Sequence, residues 1–381
     1  MNVDWIVVGA GFTGATFAER MASAGKRVRV IERRSHLGGN AYDENNDHGI
    51  LVHKYGPHIF HTNSEVVWTY LSNFTDWRPY EHRVLGLVEG KLVPIPFNLD
   101  SLAALFPEEA AARTENALIT QYGFGNKIPI LKLRESDHPA IRDFAEFVYR
   151  NVFEGYTIKQ WQLRPEDLSP SVTARVPVRI NRDGRCFQDT YQAIPLHGFT
   201  ALFRRMLDHP NIEIVFDWTW KPSASGKDGE RVLFTGAIDE LMDYRFGPLG
   251  YRSLHFEERT LQEVQHQPVG TVNYPNDHEY TRISEQKIIT GQKAPVTTLT
   301  IEYPRPHEPG KTIAYYPIPR DENQLLYAKY AAQARAEFPQ FCFAGRLAEY
   351  QYYNMDQACA RALKLASENG GPKWLSSHVL A

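Results

Sequence analysis

The chain has 381 residues, 43% of them hydrophobic and 12% aromatic, enough for a large buried core and two or three domains. A formal net charge of −3 excludes a protein that attracts nucleic acid or a membrane surface by overall charge. Any anionic ligand must instead be gripped by local arginines.

Met1 leads directly into a strand-like segment, so no signal peptide is expected, and no apolar run approaches the ~20 residues of a membrane span. Cys186, Cys342 and Cys359 are scattered and odd in number, without metal-ligand spacing, which points to a reducing, cytoplasmic setting. Residues 5–8, WIVV, suit a strand buried on both faces. The strand runs into GAGFTG, in which Gly9, Gly11 and Gly14 match G-x-G-x-x-G. A helical period follows, then VRVIE ending at Glu32. The glycines serve a tight turn, the approach of backbone to a pyrophosphate, and close helix–strand packing. The pyrophosphate would sit at the helix N-terminus, and Glu32 would accept from ribose hydroxyls. Dinucleotide binding follows from that register of parts.

KYGPHIFHT, residues 54–62, sets His58 and His61 three apart beside a Gly-Pro turn. The pair could ligate a metal, carry out acid–base chemistry, or form a cofactor wall. No third or fourth ligand is evident, so no metal is assigned. Residues 98–160 are rich in helix formers, whereas 163–190 and 244–320 read as strands broken by Pro and Gly. FCFAGR, residues 341–346, followed by a helix over about 355–366, is a late strand–glycine–helix unit returning to the first domain. It resembles the FAD-binding proteins built like glutathione reductase, which favours FAD over NAD.

Taken together, VVGAGFTGA, IERRSHLGGNAYD, HKYGPHIFHTN, FEGYTIKQW, ARVPVRIN, FGPLGYRSL, YTRISEQK, YYPI and GRLAEYQYYNMD resemble the UDP-galactopyranose mutases. The segments run in family order from residue 3 to about 366. The resemblance implies an α/β fold with a Rossmann-type FAD domain, an inserted helical domain and an antiparallel-sheet substrate domain. In this chain those would be 1–78, 191–243 and 322–368 for FAD, 98–162 for the helices, and 79–97, 163–190 and 244–321 for the sheet, with 369–381 as a tail. It implies interconversion of UDP-galactopyranose and UDP-galactofuranose with no net redox change, the N5 atom of reduced FAD being the nucleophile at the anomeric carbon. Family members are often dimers.

The residue roles it implies are these. Arg175 and Arg282 grip the diphosphate, because a planar guanidinium donates two parallel hydrogen bonds to phosphate oxygens. His61 lines the flavin's reactive edge with His58 and Ile59. His82, Phe153, Tyr156, Thr157, Trp161, Tyr316 and Tyr352 hold uridine and sugar, with Arg179 in support. The cofactor wall also takes Phe12, Thr13, Arg33, Gly39, Asn40, Arg252, Arg346, Tyr353, Asn354 and Met355. Two positions depart from the family pattern: Cys186 stands where many relatives carry Tyr, and Asn354 where Asp is common. A flavin-dependent amine or porphyrin oxidase is the competing enzyme class, and a non-catalytic sugar-nucleotide binder the competing non-enzyme.

Overall fold

The computed structural model describes residues 3–167, 177–222 and 231–372. Trp5–Val8 is a strand because four successive apolar side chains can all be buried only inside a sheet covered on both faces. It is the middle of five parallel strands, in the order Ile212–Val215, Val28–Ile31, Trp5–Val8, Arg231–Phe234, Phe341–Phe343. The helix Phe12–Ser23 crosses one face, with Met355–Glu368 packed against it. Between them lies a core that includes Trp5, Phe17, Met21 and Cys359. Trp5 and Phe17 meet edge to face with centroids 4.8 Å apart. Each such side chain contributes about 1.5–3 kcal/mol through burial.

A seven-stranded sheet is the largest in the described structure. Its order is Tyr316–Pro317, Tyr251–Leu261, Thr297–Pro306, Arg282–Glu285, Thr271–Asn273, Val84–Val88, Lys91–Ile95. Neighbours run antiparallel except Thr271–Asn273 beside Val84–Val88. The helices Leu99–Leu105, Glu108–Tyr122, Ile130–Arg134 and Pro139–Val148 enclose a separate core around Phe97, Phe144 and Val148. Pro139–Val148 continues through a π-helical turn, Tyr149–Glu154, into Gly155–Trp161. A third sheet, Phe60–Thr62, Tyr191–Pro195, Trp77–Pro79, lies between the two larger units in the chain.

The strand character expected over 163–190 is largely absent among the described residues. That segment holds one two-residue strand, Val178–Arg179, paired with Lys127–Ile128. Val178 and Ile180 are buried in the helical core, so those apolar residues serve the helices rather than the large sheet. No helix among the described residues is long and apolar enough to cross a membrane.

Candidate active site

A groove of about 840 Å³ opens at the carboxyl ends of the parallel strands. Gly9 holds φ at +105°, a conformation L side chains avoid, and a Cβ on Gly14 would lie 1.9 Å from the Gly9 carbonyl oxygen. Gly11 caps the helix Phe12–Ser23 with no side-chain partner, leaving its first N–H groups for an anion. Gly39 is pressed so close that its Cβ would be 3.2 Å from the Gly11 Cα. The Glu32 carboxylate accepts from the Ala10 N–H at 2.8 Å and the Arg34 N–H at 3.0 Å. Each oxygen keeps a lone pair for a ribose hydroxyl. Among the described residues Arg34 Nη1 is a buried donor without an acceptor, and Arg34 lines the groove. That donor set, the glycine cradle and the open helix end fit a dinucleotide.

Phe12, Thr13, Arg33, Asn40, His58, Arg346, Tyr353, Asn354 and Met355 also line the groove. Gly345 turns the late strand back against Thr13, whose Oγ1 would be 3.1 Å from a Cβ there. Arg346 is fixed by the Tyr353 carbonyl at 2.6 Å. Asn354 closes the amino end of Met355–Glu368 through a capping box with Gln357. Three expected wall residues are not among those that line the groove. Ile59 is buried in an apolar cluster with Ile194 and Ile289. Arg252 is buried and donates to the Gln160 carbonyl at 2.8 Å. His61 stands outside the groove lining, because its ring stacks on Phe187 with centroids 3.7 Å apart and its Nδ1 donates to Asp189 at 3.1 Å.

The cleft on the sheet side is built from cross-strand register. Arg282 is opposite Asn273 on one neighbouring strand and Glu302 on the other, so the three share a face. Arg282 Nη2 donates to the Tyr156 hydroxyl at 2.6 Å, and its Nε lies 3.2 Å from the buried Glu302 carboxylate. Burial works against the Arg282 charge, but Glu302 and then the phenols of Tyr156 and Tyr316 outweigh it and hold the guanidinium cationic. Among the described residues the buried Asn273 Oδ1 has no hydrogen-bond partner.

Tyr316 stacks on Tyr352 at 5.1 Å with Trp161 tilted 6.4 Å away, and Arg346 lies over both tyrosines. Burial, then Tyr352, raises the Tyr316 hydroxyl well above the usual range, so it remains a neutral donor. Tyr156 and Thr157 are half-buried on Gly155–Trp161, while Phe153 is 8% exposed and belongs to the helical core rather than to an open surface. His82 is buried, and Cys186 donates its N–H to the His82 carbonyl at 2.7 Å. Arg179 is turned inward, Nη2 donating to the Cys186 carbonyl at 2.6 Å. Burial pushes the Cys186 thiol up to about 11, so it stays a thiol. Arg175 lies outside the described residues. Among the described residues no three His, Cys, Asp or Glu groups come together as a metal site.

The sequence model of the UDP-galactopyranose mutase family matches residues 151–352, and that of an NAD(P)-binding Rossmann-like domain matches residues 7–74. A probable UDP-galactopyranose mutase of Klebsiella pneumoniae is 36% identical over 370 residues, 96% of this chain and 94% of its own. The chain belongs to the UDP-galactopyranose mutase family. Its similarity to a dTDP-fucopyranose mutase of Escherichia coli is nearly as high, 34% over 95% of this chain and 97% of that one. The fold matches a crystal structure of reduced UDP-galactopyranose mutase with a TM-score of 0.74 at 15% identity, covering 97% and 94% of the two chains. Membership in the mutase family makes the chain an isomerase.

Proposed function

We propose that this chain interconverts the pyranose and furanose forms of UDP-galactose, with FAD in the groove and no net redox change. One observation carries the reading: a guanidinium, Arg282, held cationic on a rigid sheet and ringed by neutral phenols. That is a cleft for a departing nucleoside diphosphate. An oxidase of amines or porphyrins would place an apolar cavity there instead.

Reduced FAD, when bound, supplies the electron pair that secures the anomeric carbon while the ring is open. The protein does the rest. Arg282, with Arg175 as its proposed partner, keeps the diphosphate within reach so that the cleaved bond can re-form. Tyr156, Tyr316 and Tyr352 donate hydrogen bonds and present ring faces, and Trp161 closes the side of the pocket. Glu32, Gly11 and the free helix end would hold the cofactor's ribose and pyrophosphate.

The test is chromatographic. Dithionite-reduced protein should convert UDP-galactofuranose to UDP-galactopyranose, and oxidised protein should not. Equal rates in both states would overturn the reading. A parallel arm with dTDP-fucopyranose decides which sugar nucleotide is preferred, since relatives acting on either are almost equally similar.

A further inference from the structure

Pyranose–furanose exchange needs a proton moved as well as a bond. The bond from the anomeric carbon to O5 breaks, its electron pair leaves on O5, and O5 takes a proton. The O4 hydroxyl then bonds to the same carbon and gives its proton up. One group that lends a proton to O5 and recovers one from O4 closes the balance.

We propose that His61 is this proton carrier and that Asp189 is the positioning residue that fixes its tautomer. The inference rests on the mutase reading above. Asp189 Oδ2 lies 3.1 Å from His61 Nδ1. A carboxylate can only accept, so Nδ1 carries the hydrogen and Nε2 is left to give and take the working proton. Among the described residues the ring's hydrogen bond is the one from Nδ1, and the His61 side chain keeps 15% of its surface exposed, so Nε2 is left without a hydrogen-bond partner. Asp189 is itself braced, its Oδ1 accepting from Asn63 Nδ2 at 3.1 Å. Asn63 Oδ1 in turn accepts from the Thr190 N–H at 2.9 Å and its hydroxyl at 3.1 Å. Phe187 stacks on the imidazole with an interplanar angle of 14°, which removes the remaining freedom of the ring.

His61 is also linked to both parts of the site. Three residues earlier, His58 lines the dinucleotide groove. Phe187 stacks on His82 as well, 6.2 Å between ring centroids, and His82 lies within the field of Arg282 and of His61. The titratable and charged groups facing His61 are therefore Asp189, His82 and, behind it, Arg282; Asp356 reaches only the adjacent Thr62 hydroxyl. The neighbouring histidines are poor candidates. Burial drives His53 and His58 down to about 4 and His82 to about 3, so none of them offers a proton near neutrality.

The experiment uses the full-length, flavin-loaded, reduced protein with UDP-galactofuranose and UDP-galactopyranose. His61→Gln should lower kcat about 100-fold or more, the usual yield of general acid–base catalysis. Its kcat should also lose the pH limb that the unsubstituted protein shows. Asp189→Asn should lower kcat with KM, bound flavin and UDP affinity unchanged, and Asp189→Glu should recover most of the loss. Full kcat in His61→Gln or Asp189→Asn would overturn the proposal. So would losses confined to flavin content or UDP affinity, which mark a structural role. If the unsubstituted protein interconverts neither sugar nucleotide, the mutase reading fails instead, and the two failures are told apart.

Discussion

Arg282 and Glu302 face each other across adjacent antiparallel strands, with Nε 3.2 Å from Oε1, and Thr281 donates its hydroxyl to the same carboxylate oxygen at 3.0 Å. The acid is buried and the arginine half-buried. Glu302 therefore orients the guanidinium at the expense of some attraction for an anionic ligand.

Arg282→Ala should abolish most turnover and weaken UDP binding while the flavin stays bound. Arg282→Lys should not rescue it, because an ammonium lacks the planar fork that reaches Tyr156, Glu302 and a phosphate together. The Nε–Oε1 contact is an ion pair rather than a hydrogen bond, so its orienting effect comes from charge and from the polar group facing the guanidinium. Glu302→Gln keeps that polar group and should be milder than Glu302→Ala, which loses both, at about 0–1 kcal/mol for a partly exposed pair. Isothermal titration with UDP and steady-state rates separate these cases. Equal behaviour of Glu302→Gln and Glu302→Ala would remove the orienting role.

Gly14→Ala should give protein without bound flavin, or no folded protein, since the added methyl meets the Gly9 carbonyl at 1.9 Å. Gly49→Ala is the control: its Cβ would meet nothing within 4 Å, and only a left-handed φ of +72° opposes it. A visible flavin spectrum from Gly14→Ala at wild-type intensity would contradict the close packing.

Trp218 is 44% exposed, lines the groove, and hangs from the Glu32 carbonyl through its own N–H at 3.3 Å. With FAD as the proposed cofactor, an exposed indole at this groove would offer a face to the adenine, an interaction worth about 1–3 kcal/mol per base. Trp218→Ala should raise the FAD dissociation constant about 10–100-fold on that figure. FMN, which lacks adenosine, should bind equally to both proteins. Fluorescence titration reads this directly, and parallel losses for FAD and FMN would rule out stacking.

His53 and His82 are buried neutral, brought down to about 4 and about 3 first by desolvation and, for His82, next by Arg282. Unfolded imidazoles titrate near 6.5, so the stability these groups lend is complete above that pH. It drains as pH falls toward the folded values, because the unfolded chain takes up protons first. Each group steepens the loss by about 1.4 kcal/mol per pH unit between roughly 6.5 and 4. Thermal melts should show Tm dropping through that window, with a shallower drop in His82→Asn. An unchanged slope would mean His82 is not held neutral.

Much of the cofactor groove was legible in the sequence, because Gly9, Gly11, Gly14 and Glu32 act through local geometry within one strand–helix–strand unit. The sheet-side cleft was less so. Arg282 stood out by its motif, but Asn273 and Glu302 reach it only through the register of three strands, which no spacing encodes. Asp189 lies 128 residues from His61, and Phe187 reads as an ordinary aromatic until the ring stack is seen. Trp218 follows an edge strand of weak pattern. Ile59 and Arg252 show what motifs alone leave out: the first packs in an apolar cluster with Ile194 and Ile289, and the second is held by the Gln160 carbonyl.

The row Asn273–Arg282–Glu302 also governs how this protein can change length. Side chains alternate between the two sides of a strand, so sliding Arg282–Glu285 by one residue along Thr271–Asn273 would turn Ile283 toward the cleft and Arg282 away. Natural or engineered changes of length should therefore be confined to the turn 275–280, beyond the Tyr274–Thr281 hydrogen bond that closes the ladder.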